Sequence, residues 1–175
     1  TFTYRITDGD GDTATTTLTI TIRSVPALIG LNDGTVAGTD GSVLESDLAA
    51  GTNPTGTGET LTDSFQALTN PLFPLQSLTV AGTTLSAAQL NDLNTTPVII
   101  TTSFGQLRLT NFDSATGTVS YQYTLVTPPT NAAAVTDDFA LALTDTSNTT
   151  VSSTLKIAII DDGPIANTDV ASVTE

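Results

Sequence analysis

The chain has 175 residues and a formal charge of −14, with 18 Asp and Glu against four Lys and Arg, and it contains no His, Cys, Met or Trp. Such a balance argues against nucleic acid, whose phosphates need Lys and Arg, and against anionic membrane surfaces. Without Cys or His there are no disulfides, no thiol nucleophile and no His-based triad. About one residue in five is Thr, whose β-branched, hydroxyl-bearing side chain suits the wet face of a strand. The core is left to Val, Ile, Leu, Ala and Phe, and no apolar run approaches the ~18 residues of a membrane span, so no direct membrane insertion is expected.

In chain order, Phe2, Tyr4 and Ile6 alternate with polar residues, and so do Leu18, Ile20 and Ile22. Period two marks half-buried strands, and the acidic, Gly-rich stretch between them reads as a hairpin tip. Residues 32–62 are rich in Gly, Thr, Asn and Asp and predict a long ordered loop with short strands. Further strands are expected over residues 77–81, 98–102, 106–111 and 118–126, with a turn over 111–117 joining the last two. One short helix is expected at residues 86–93, where Ser86 and Gln89 form a capping-box pair. Residues 139–143 and 155–159 alternate like the opening pair. Seven or so short strands with turns between them predict an all-β fold, an antiparallel immunoglobulin/cadherin-like β-sandwich with one short helix at most.

The chain also repeats itself. Phe2, Tyr4, Ile6, Thr7 and Asp8 match Phe139, Leu141, Leu143, Thr144 and Asp145, and Leu18, Ile20 and Ile22 match Leu155, Ile157 and Ile159, all at a shift of 137 residues. After one inserted residue Pro26 matches Pro164, and Ser42–Glu45 resembles Ser172–Glu175. The expected organisation is therefore a terminal hairpin of a preceding repeat (1–23), a complete β-sandwich repeat (24–163) and the start of the next (164–175). Opening mid-pattern, without an initiator Met or signal peptide, the chain reads as a fragment.

The acidic residues are the candidate chemistry. Asp8, Asp10 and Asp12 alternate with Gly9 and Gly11, which lets the backbone curl so that several oxygens converge. Ca²⁺ takes six to eight hard oxygens at ~2.3–2.6 Å, so this tip is a natural partial cage; a tight polar turn is the plainer alternative. An EF-hand is excluded, because the twelfth position from Asp8 is Thr19. The second tip reads Asp-Thr-Ser-Asn-Thr and is poorer in acids, with Asp145 as its candidate metal ligand, so calcium loading is expected to differ between repeats. Asp161 and Asp162 are adjacent and uncompensated, which favours a cation between them or a solvated acidic linker. Asp137 and Asp138 are weaker candidates, and Asp113 reads as a turn-former. Nothing resembles a catalytic constellation: the acids cluster in turns beside Gly and Thr, without the aromatic platform of a sugar cleft. The chain is read as not an enzyme.

The stretch from Gly30 to Leu48, together with Ser77–Gly82, Phe104–Leu107, Phe112-Asp113 through Tyr121–Tyr123, and Ile159–Pro164, resembles the long repeats of giant type I secreted adhesins of the biofilm-type RTX class. It is more distantly similar to the VCBS repeats of bacterial surface proteins. The resemblance implies a cadherin-like extender repeat of a secreted bacterial cell-surface protein supporting adhesion and biofilm formation, a monomer whose partners are the neighbouring repeats. It also implies Ca²⁺ gripped at the junction between repeats by Asp161 and Asp162 together with Glu45 and Glu175. Two departures stand out: the first junction, Arg23-Ser24-Val25-Pro26, has no acids, and the second tip lacks the alternating Asp of the first. The alternative is a sugar- or protein-binding module of the same adhesin, with the loop from Asn32 to Thr62 as the place for recognition.

Overall fold

The computed structural model of the protein describes residues 1–20, 25–130 and 135–163. Strands β1 (Phe2–Thr7) and β2 (Thr13–Leu18) form a hairpin, followed by β3 (Ala27–Ile29), β4 (Gly41–Leu44) and a 3₁₀ turn at Glu45–Asp47. Then come β5 (Thr60–Leu68), β6 (Leu75–Val80), β7 (Thr83–Ser86), helix α1 (Ala87–Asn91), β8 (Val98–Thr101) and β9 (Gly105–Asp113). The chain closes with β10 (Thr118–Leu125), β11 (Val135–Asp145) and β12 (Thr150–Ile160). The predicted helix forms with its capping box: the Ser86 hydroxyl accepts from the Gln89 N–H, and the Gln89 carboxamide accepts from the Ser86 N–H.

Two five-stranded sheets make the sandwich, one in the order β3-β5-β10-β9-β8 and the other β4-β12-β11-β6-β7. All pairings are antiparallel except β4 on β12. The fold is therefore the all-β sandwich expected, in a strand order that matches an immunoglobulin-type fold with its first strand divided between the sheets. That division is what the loop after β3 is for. It carries the chain across the sandwich, and Asp40 marks the landing: its carboxylate accepts the backbone N–H groups of Asn32 and Lys156. Burial pushes that buried carboxyl above its ordinary value, against the pull of the two N–H groups.

The alternation seen in sequence becomes the core. Val119, Tyr121, Tyr123 and Leu125 of β10 face Phe139, Leu141 and Leu143 of β11 and Leu155, Ile157 and Ile159 of β12, all buried. Tyr123 meets Phe139 edge-on across the two sheets, ring centroids 6.0 Å apart, the arrangement that aromatic quadrupoles favour. A phenol buried there needs an acceptor, and the Tyr123 hydroxyl donates to Asp137 at 2.7 Å. Asp137 also accepts the Thr102 hydroxyl. Burial first, then that hydrogen bond, push the Tyr123 phenol far above its usual value and keep it a donor. Asp137, a weaker ligand candidate in sequence, is thus a buried acceptor of the core.

Pairing gathers the turns at two ends. Residues 69–74, 114–117 and 146–149 lie together, tied by the Thr146 N–H on the Pro74 carbonyl at 2.9 Å. The opposite end holds the 3₁₀ turn and loop 48–59, the end of β10, and residues 161–163 leaving β12. The β1–β2 hairpin is a separate two-stranded sheet, and its residues are all exposed.

Candidate metal centre

The tip between β1 and β2 closes where the sequence places it. The Asp8 N–H donates to the Asp12 carbonyl at 3.0 Å, and the Gly11 N–H to the Asp8 carbonyl at 3.3 Å. Gly11 sits at φ 102°, a left-handed conformation that glycine adopts without a Cβ clash. The Asp12 N–H donates to Asp8 Oδ1 at 2.8 Å. This curl draws one oxygen from each of Asp8, Asp10 and Asp12 within 4.8 Å of one another, all three residues exposed. Among the described residues it is the only group of three or more acids assembled so tightly. A hydrogen bond shared with the Asp10 carboxyl, then N–H groups of Asp12, Asp10 and Gly11, hold Asp8 below the usual carboxylate value. The tip thus crowds three exposed carboxyl groups together, whose like charges repel unless a cation sits among them.

The second tip is the same loop with different chemistry. The Asp145 N–H donates to the Thr149 carbonyl at 3.0 Å and the Asn148 N–H to the Asp145 carbonyl at 2.9 Å, with Asn148 at φ 61° in the place of Gly11. At the positions of Asp10 and Asp12 stand Ser147 and Thr149. There Asp145 Oδ1 accepts the Ser147 N–H, the Ser147 hydroxyl and the Thr149 N–H at 2.8, 2.7 and 3.1 Å. The Ser147 hydroxyl also lies 2.9 Å from that of Thr149. Asp145 is buried, so it serves this tip as the acceptor that closes the turn. One backbone thus carries two fillings, a Ser147 hydroxyl that donates to the tip's single acid and, in its place, the further carboxyl of Asp10 beside Asp8.

At the far end, Glu45, Asp161 and Asp162 come near one another without forming a set of three within 4.8 Å. Glu45 is buried in the 3₁₀ turn, and burial raises its carboxyl, with the charges of Asp161 and Asp162 adding to the effect. Asp162 is already engaged: its two oxygens accept the Thr52 N–H at 2.8 Å and the Thr52 hydroxyl at 2.6 Å. Glu175, and with it residues 164–175, lies outside the described residues. Asp47, which the motif analysis left unassigned, clasps the loop below. It accepts from Gly58 N–H, Asn53 Nδ2 and Ser46 Oγ at 2.7, 2.9 and 2.9 Å, bonds that hold it below the usual value. Only the two Gly residues at 56 and 58, crowded against its carboxylate, hint at this in sequence. A cavity of ≈ 490 Å³ opens at this end, lined by Glu45, Leu48, Gly51, Leu125, Pro128 and Asp162.

Comparison with protein-family models finds no match, and comparison with curated proteins finds none either. No helix among the described residues is long and apolar enough to cross a membrane.

Proposed function

We propose that the chain is a structural spacer repeat of a secreted bacterial cell-surface adhesin, without enzymatic activity, and that Ca²⁺ at the Asp8–Asp12 tip stiffens it. The observation that carries the calcium reading is the pair of matched tips. Where Ser147 and Thr149 supply donors to a lone Asp145, Asp10 and Asp12 supply more negative charge beside Asp8. A hard divalent cation with three carboxylates, peptide carbonyls and water completes such a shell. The spacer reading rests on the 137-residue repeat and on a fold whose chain enters at one end of the sandwich, at β3, and leaves β12 at the other. A secreted surface adhesin accords with the acidic surface and the resemblance of Gly30–Leu48 to adhesin repeats.

Calorimetric titration tests the calcium reading. Extracellular calcium modules bind at ~10⁻⁴–10⁻³ M, and Mg²⁺ competes poorly because it keeps its waters in a smaller octahedral shell. The expected result is one site of that strength, lost in Asp10→Ser/Asp12→Thr, which gives the first tip the Ser and Thr of the second. Equal heats from both proteins would remove calcium from the account. A binding module is the second reading, favoured by the cavity bordered by Leu48, Ala49, Ala50 and Gly51 of the 32–62 loop. A glycan array that retained the chain, and lost it on Ala50→Trp at the exposed rim of that cavity, would move the assignment there.

A further inference from the structure

The β1–β2 hairpin repeats β11–β12 in pairing as well as in sequence. Phe2 lies opposite Leu18 and Thr7 opposite Thr13; Phe139 lies opposite Leu155 and Thr144 opposite Thr150. Every partner moves by the same 137 positions, so the same side chains fall on the same face. The surroundings differ. Phe139, Leu141, Leu143, Leu155 and Ile157 are 0–2% exposed, whereas Phe2, Tyr4, Ile6, Leu18 and Ile20 are 52–64% exposed. The outer edges differ as well. β11 pairs outward with β6, and β12 with β4, while among the described residues β1 and β2 pair only with each other.

From this we infer that the β1–tip–β2 hairpin is interchangeable with β11–tip–β12, and that its apolar face is built to be covered by the β3–β10 portion of another unit of this fold. Two needs define the occupant. The exposed row calls for an apolar sheet face of the kind presented by Phe65, Leu107, Leu109, Tyr121 and Tyr123, all buried against β11 and β12 in the sandwich. The unpaired edges call for strands on both sides, which a small apolar ligand cannot supply. The chain's own β3–β10 cannot serve, because β11 and β12 already fill it. Tip geometry supports the exchange, since both tips close with the same backbone bonds and carry a positive-φ residue at the same position, Gly11 in one and Asn148 in the other. The inference stands apart from calcium, because the row of apolar side chains is the same with or without a cation.

The test exchanges the hairpins. In the full chain, residues 139–155 are replaced by a second copy of residues 2–18, a swap of equal length that leaves the register intact. A companion protein carries the same swap with Tyr4→Leu in the transplanted copy, since Tyr in the place of Leu141 enlarges a buried position. The expected result is a single cooperative melt, lowered by no more than about 10 °C, the scale of one overpacked core site. The transplanted amides should be protected from hydrogen exchange as residues 139–155 are in the parent. If both proteins lack a cooperative melt, or the transplanted strands exchange as fast as β1–β2 does in the parent, interchangeability is wrong. Concentration-dependent dimerisation of the parent, abolished by Phe2→Ser/Ile6→Ser, would show that a second copy's hairpin covers the face and would overturn the occupant proposed.

Discussion

The calcium proposed for the Asp8–Asp12 tip would have a consequence confined to the hairpin. Two strands alone are marginally stable in water, and among the described residues β1 and β2 have no other strand beside them. A cation that binds the closed tip and not the open one stabilises the closed form by RT ln(1 + [L]/Kd). With 10 mM CaCl₂ and a dissociation constant of ~10⁻⁴–10⁻³ M, that is about 1.4–2.7 kcal/mol, or an opening equilibrium suppressed roughly 10- to 100-fold. Amide exchange read by NMR across Phe2–Thr7 and Thr13–Leu18 should slow by that factor between EDTA and CaCl₂. In Asp10→Ser/Asp12→Thr it should not change. Among the described residues no strand of the sandwich pairs with the hairpin, so the sandwich midpoint should be the same in both buffers. Equal exchange rates for the wild-type hairpin in EDTA and calcium would refute the reasoning, as would an equal calcium effect in the double variant.

Other perturbations separate the two copies of the hairpin and probe the buried acids. Leu143→Ala should cost about 2–5 kcal/mol in chemical denaturation, as large-to-small changes in a packed core do, whereas Ile6→Ala, its counterpart in the shift, should leave the sandwich midpoint unmoved. Tyr123→Phe removes one donor from the buried Asp137 and should destabilise by about 1.5–3 kcal/mol, the value of a hydrogen bond to a charged group; an unchanged midpoint would show that the phenol contributes nothing. Burial raises Glu45 above the ordinary Glu value of 4.5, so the folded chain holds this proton more tightly than the unfolded one. Its contribution is present below 4.5 and is lost as pH rises through the folded pKa. Denaturation midpoints in EDTA should therefore favour Glu45→Gln over wild type increasingly as pH rises from 4.5 to 7, and a constant difference would contradict that assignment.

β5, where only Phe65 and Ala67 are fully buried, and β7, with Leu85 alone, were not expected; over the longer buried faces, burial of one face imposes period two on the sequence. Residues 118–125 and the strands around Phe139 and Leu155 show it plainly, and Ser86 with Gln89 announced the helix. β4 was legible only as an unplaced short strand within residues 32–62: Gly41–Leu44 is short, and its partner Ile157–Ile160 is more than a hundred residues away. β9 continues to Asp113, beyond the expected 111, because a bulge at Ser120/Tyr121 lets it pair further along β10. At the candidate site, alternating Asp and Gly was enough to read the tip, since neighbours in sequence make it. The duties of Asp40, Asp47 and Asp162 were hidden, because their partners Lys156, Gly58 and Thr52 reach them only through the folded loop.

The calcium-stiffened spacer is tested most directly by diffraction from crystals grown in millimolar CaCl₂, with anomalous differences recorded. The account predicts a calcium peak between β1 and β2, with oxygens of Asp8, Asp10 and Asp12 at ~2.3–2.6 Å and six to eight ligands in all, and no peak between Asp145 and Thr149. A tip without anomalous density at saturating calcium, its three carboxylates turned apart into solvent, would contradict it.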